Sequence, residues 1–148
     1  MRRRNQVLLA FAVVIVGAQL VPVRRDNPPA TAAITTPAEV QEVLETSCYD
    51  CHSNLTRWPW YSRVAPVSWL VADDVSEGRG ELNFSEWGDY SARRKHHKLE
   101  EVEELVTEKE MPLKIYLPLH PEARLTEAEA RTLIEWSRAE RARLEAEA

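Results

Sequence analysis

Apolar positions open the chain as one block and then recur at helical spacing. After Arg2, Arg3 and Arg4, an apolar run extends from Val7 to Ala18. It is interrupted by Gln19 and resumes over Leu20–Val23 with Pro22 inside it, 17 residues in all. A positive start before such a stretch reads as a targeting segment over residues 1–26, a signal anchor or a cleaved signal peptide. No convincing Ala-x-Ala site follows, so a retained transmembrane anchor is the expected form. Residues 27–35, with Pro28, Pro29, Ala32 and Ala33, read as a flexible tether, and the folded domain is expected over 36–148.

Within the domain, Thr36-Pro37-Ala38-Glu39 predicts a helix start, with Thr36 as cap and Glu39 closing a capping box. Val40, Val43 and Leu44 line one face of that helix, which runs toward Cys48. Pro66 opens a second helix with Val67, Leu70, Val71 and Val75 at helical spacing, ended by Gly78 and Gly80. A third segment starts at Asn83–Ser85, carries Trp87 and Tyr90, and passes through the charge run Arg93–Lys98. That run reads as a solvated helix face. Leu99, Val102, Leu105 and Val106 continue an apolar stripe until Met111-Pro112 stops it. Thr126-Glu127-Ala128-Glu129 is a second capping box, and Ala130, Leu133, Ile134 and Trp136 belong to the final helix. There is no repeat and no sustained alternation, so the class is all-α.

Size and charge narrow the function. A chain of 148 residues holds one ordinary domain, too small for a catalytic barrel or a doubly wound enzyme. Residues 31–148 carry 14 Lys+Arg against 23 Asp+Glu, a net charge of −9. Without a basic stripe the domain is not expected to bind nucleic acid.

The two cysteines stand in Cys48-Tyr49-Asp50-Cys51-His52. As a zinc site this is half a ligand set, with no second cysteine pair. As a thioredoxin-like redox pair it lacks the preceding strand of a mixed fold. Covalent c-type haem accounts for all three residues. Thiols at i and i+3 share one side of a helical turn and meet two vinyl groups on one porphyrin edge. His52 follows directly and offers an imidazole nitrogen to iron. Export agrees with this chemistry, because the thioether bonds protect thiols that would otherwise oxidise.

The second axial position has four candidates: Met111, His96, His97 and His120. Met111 is favoured, since it follows a helix, precedes Pro112 and is the only methionine in the domain. A thioether ligand raises the reduction potential relative to a second imidazole. His120, in a proline-bounded loop, is the main alternative. Trp58, Trp60, Tyr61 and Trp69, clustered between prolines, are expected to include residues that pack on the porphyrin or reach a propionate.

The stretch CYDCHSNLTRWPWYSRVAPVSW (Cys48–Trp69), with LNFSEW (Leu82–Trp87), EMPLKIY (Glu110–Tyr116) and LHPEARLTEAE (Leu119–Glu129), resembles the bacterial haem-binding domains related to cytochrome c. The similarity covers roughly residues 37–137. It implies a mostly helical, cytochrome c-like domain wrapped around one covalent haem, at the periplasmic side of the cytoplasmic membrane. By that resemblance Cys48 and Cys51 are the attachment residues, His52 is the proximal ligand, and Met111 falls in the family's methionine-proline block. Two strong ligands leave no open site, so an electron carrier is expected rather than an enzyme, with a redox partner that docks through a basic patch. A haem-based sensor or assembly module, or a peroxidase-like or gas-binding site, is the alternative if Met111 does not bind iron.

Overall fold

A computed structural model describes residues 2–147, and the secondary structure among them is helical, with no strand. The helices are α1 (Arg2–Gln19), α2 (Ala38–Ser47), α3 (Tyr49–His52), α4 (Val67–Glu81), α5 (Ala92–Thr107) and α6 (Glu127–Ala146). Short 3-10 turns lie at Trp60–Arg63, Phe84–Asp89 and Pro121–Ala123. The all-α expectation agrees with this architecture.

α5 and α6 form an antiparallel hairpin, the most extensive helix pair of the fold. Ion pairs between Arg138 and Glu103, Arg141 and Glu103, and His96 and Glu145 run along its outer side. Its inner side closes over α2 through Leu44, Leu99 and Leu133, each at most 1% exposed. Tyr49 stacks on Phe84 with ring centroids 5.7 Å apart, and Trp87 and Tyr90 extend the aromatic layer. Burial of this layer is the main term holding α3 and the Phe84–Asp89 turn to the hairpin.

Local signals succeeded unevenly. Thr126 and Glu129 make the reciprocal capping box at the start of α6. No such box forms at Thr36: the α2 cap position is Pro37, and the Thr36 hydroxyl turns to Gln41. Gly78 and Gly80 do not end the second predicted helix, since α4 continues through both to Glu81. The third segment divides, because Asn83 caps the 3-10 turn and Ser91 caps α5 separately.

Two expectations about the N-terminus change. No helix among the described residues is long and apolar enough to cross a membrane. The helix that contains the apolar run ends at Gln19 and includes Arg2–Arg4. Its uninterrupted apolar part, Val7–Ala18, rises only about 18 Å, against about 30 Å of bilayer core. Residues 27–35 are also no free tether. Asn27 bonds the Thr56 carbonyl at 2.9 Å, Ala32 N–H bonds Ser85 O at 3.1 Å, and Ile34 N–H bonds Phe84 O at 2.9 Å. Ile34 is buried in the core cluster. The proline-rich composition that suggested flexibility instead gives an extended strip whose backbone groups are satisfied by the domain.

Candidate functional site

Cys48, at φ −123°, separates α2 from α3, being the C-cap of the first and the N-cap of the second. Cys48 N–H donates to Leu44 O at 2.9 Å, and His52 N–H donates to Cys48 O at 2.9 Å. Cys48, Cys51 and His52 therefore lie on one helical turn, and all three line a cavity of about 360 Å³. That size lies within the range of ligand pockets. Leu44 and Phe84 line it, as do Val102, Leu105 and Val106 of α5. Neither cysteine is disulfide-bonded. Burial pushes the Cys48 thiol up to about 12 and the Cys51 thiol up to about 11, so both stay protonated at neutral pH.

His52 is oriented by α4. Its Nδ1 lies 2.9 Å from Gly78 O and 3.1 Å from Leu82 O. Two carbonyls require Nδ1 to be the donor, which leaves Nε2 as the free, unprotonated nitrogen. Burial holds the ring below the usual histidine range and so keeps it neutral.

The same contact explains a glycine. A Cβ on Gly78 would meet Cys51 O at 2.8 Å and Cys51 Cβ at 3.0 Å. A Cβ on Gly80 would meet nothing within 4 Å. Alanine in a helix interior gains about 1 kcal/mol over glycine, whereas overpacking costs about 1–3 kcal/mol. Gly80→Ala should therefore stabilise the fold and Gly78→Ala should destabilise it, as read from denaturant midpoints. Equal shifts for the two variants would contradict the close packing of α4 on α3.

Met111 reaches the cavity because of how α5 ends. Glu110 N–H bonds Leu105 O at 2.9 Å, and Lys109 N–H bonds Val106 O at 3.2 Å. Lys109 takes φ 58°, completing a Schellman turn. The turn brings Met111 N–H to Leu105 O at 3.3 Å, and the Met111 side chain joins the lining beside Pro112, Leu113 and Tyr116. One cavity thus gathers Cys48, Cys51, His52 and Met111.

Charge is distributed unevenly around it. Asp50, Asp74, Glu77 and Glu81 and, from α5, Glu101 line the cavity, with Lys98 the one Lys or Arg in its wall among the described residues. Lys98 is 9% exposed and pairs with Glu81 at 3.0 Å and Glu101 at 2.6 Å. Burial alone would lower its pKa, but those hydrogen bonds outweigh it and hold the amine charged. The run Arg93–Lys98 is therefore not wholly a solvated face. Lys98, Glu101, Val102 and Leu105 stand at i, i+3, i+4 and i+7, a stripe readable from spacing.

The aromatic cluster lies elsewhere. Trp58, Trp60, Tyr61 and Trp69 are all outside the cavity wall. The Trp58 indole donates to Asn27 Oδ1 at 3.1 Å, Trp60 is 76% exposed and Trp69 is 41% exposed. Tyr61 Oη lies 2.6 Å from His120 Nε2, and His120 Nδ1 lies 3.1 Å from Glu122. His120 is thus outside the cavity with both nitrogens engaged. His96 pairs with Glu145, and His97 with Glu101. Among the described residues no group of three or more His, Cys, Asp or Glu is placed to hold a metal ion.

Gly78, Lys98, Asp50 and Tyr116 are site residues that the sequence reading missed. Asp50, inside the pentapeptide, accepts Arg57 Nε and Arg57 N–H on Oδ1 at 3.1 and 2.9 Å. Burial pushes this carboxyl up, but the bonds from Arg57 and Tyr116 prevail and hold it below the usual carboxylate range.

No curated protein and no solved structure matches the chain. The family model of the haem-binding domain matches residues 13–139, most of the sequence, and the chain belongs to that family.

Proposed function

We propose that this haem-binding domain is an exported c-type electron carrier, with one haem attached through Cys48 and Cys51 and its iron ligated by His52 and Met111. The observation that carries the reading is the convergence of these four side chains on one apolar cavity. The donor set fits the group: two thiols on one turn, a neutral imidazole with Nε2 free, and a thioether. Attachment needs no oxidant. The Cys48 and Cys51 thiols would hold the group as thioethers, each S–H accounted for by addition across one vinyl double bond. When bound, haem supplies an iron that accepts and releases one electron.

The chain's own residues do the rest. Gly78 and Leu82 carbonyls hold His52 Nδ1–H and so fix the ring's orientation. Val102, Leu105 and Val106 of α5 give the cavity an apolar wall against which a porphyrin would pack. The acidic residues at the cavity, Asp74, Glu77, Glu81 and Glu101, support docking of a partner with a basic patch, an association that weakens with salt. Arg2–Arg4 at the start of α1, ahead of its apolar run, support export to the periplasmic side of the cytoplasmic membrane. The exposed Val7, Leu8, Leu9 and Phe11 support association of that helix with the bilayer.

Voltammetry of the purified full chain tests the reading. One reversible one-electron wave is expected, with no catalytic current on adding hydrogen peroxide. A catalytic current would assign a peroxidase-like enzyme instead.

A further inference from the structure

Asp50 sits between the two cysteines, and its carboxylate connects the pentapeptide to the segment after Met111. Tyr116 Oη donates to Asp50 Oδ2 at 2.8 Å, joining residues 66 positions apart in sequence. Arg57 holds the same carboxylate from the other side, with Nη2 at 2.9 Å from Oδ2. The Tyr116 ring is also fixed, lying against the His120 imidazole with centroids 4.0 Å apart and planes 6° apart. His120 is in turn bonded to Tyr61 and Glu122. Tyr116 N–H bonds Leu113 O at 2.9 Å, so residues 113–116 form a closed turn that begins two residues after Met111. Met111 is therefore held from both ends. Its N-terminal side is bonded to α5 at Leu105, and its C-terminal side is bonded to α3 through Tyr116.

We propose that the Tyr116–Asp50 hydrogen bond is a latch that positions Met111 in the cavity, so that Tyr116 sets how often the methionine leaves and admits an external ligand. The inference rests on the reading of Met111 as an iron ligand. The latch ties that ligand's loop directly to the turn that carries the attachment residues, so the two halves of the site move together. Deleting one hydrogen bond to an ionised group corresponds to roughly a ten- to hundredfold change in the closed-to-open ratio.

The test uses the haem-loaded full chain. In the unaltered protein the near-infrared sulfur-to-iron band should be present and carbon monoxide should bind the reduced form slowly. Tyr116→Phe keeps the ring and removes only the hydroxyl. It should bind carbon monoxide roughly ten- to a hundredfold faster and weaken the band. Asp50→Ala removes the acceptor and should act in the same direction, giving a second route should Tyr116→Phe fail to accumulate. The double variant should be no faster than the faster single one, because both remove one contact. An unaltered protein that shows the band, with unchanged binding rates in both single variants, would overturn the latch and leave the Met111 reading standing. Additive effects in the double variant would also overturn it. An unaltered protein without the band would instead overturn Met111 as ligand, and the latch with it.

Discussion

Replacing both Cys48 and Cys51 with alanine should leave a protein that loses its haem to acid–organic extraction. The unaltered chain should keep it and weigh one haem more than the polypeptide. The expectation rests on two thiols that line one cavity and that burial keeps protonated and out of disulfide exchange. Stability should fall with the cofactor. Each Å³ of cavity that the walls cannot close costs about 24 cal/mol, so a residual void of about 120 Å³ costs on the order of 3 kcal/mol. For a domain of this size that corresponds to a drop of roughly 10 °C in the melting midpoint. Single substitutions should retain the haem through the remaining thioether. Haem extracted from the unaltered protein would contradict covalent attachment, and stoichiometric zinc in its place would contradict the family chemistry altogether.

Met111→Ala should change the iron more than any other single substitution away from the pentapeptide. The near-infrared band should vanish, the reduced protein should take up carbon monoxide readily, and the reduction potential should fall. The size of that fall is of order 0.1 V, within the ~0.8 V that axial ligands span in haem proteins. The physical reason is that a thioether stabilises the reduced iron, and water or an empty position does not. Met111→His should restore a closed site at a potential below that of the unaltered protein. Met111 is the methionine that lines the cavity among the described residues, and the four histidines divide cleanly. His52 is in the wall with one nitrogen free, and His96, His97 and His120 are outside it. A Met111→Ala protein with an unchanged spectrum and potential would show that Met111 does not hold the iron.

The parts of this site that could be read from the chain are those whose geometry is local. Thiols at i and i+3 followed by an imidazole share a turn whatever the rest of the fold does, and α3 places them so. Met111 depends on the helix stop before it, also a local signal, although the turn uses Lys109 where glycine is usual. Trp58, Trp60, Tyr61 and Trp69 lie outside the cavity wall because nearness in sequence is not nearness in space. After His52 the chain leaves the cavity, and the turn at Trp60–Arg63 lies against α4 and the His120 loop. Gly78 was misread for a related reason. Glycine near the end of an apolar pattern signals a helix terminus, but here it permits two helices to touch, and only the neighbour reveals that. Asp50 and Tyr116 were silent because their contact spans 66 residues.

The strip of chain from Asp26 to Ile34 has a consequence for how the domain presents its cavity. Nine flexible residues would let a domain roam over roughly 15–18 Å. Here Arg79 bonds both Asp26 O and Asn27 Oδ1 at 3.0 Å, and Ala32 exchanges backbone hydrogen bonds with Ser85 and Gly88. The domain has no leash to swing on. The end of α1 is tied in as well, with Gln19 donating to Ala65 O at 3.2 Å and accepting from Ala65 N–H at 3.0 Å, so the domain is mounted on α1 in the manner of a socket fixed to a wall. On the proposed electron-carrier reading, a redox partner would meet the cavity in one orientation, and turnover would follow the partner's abundance rather than the length of the segment between α1 and the domain.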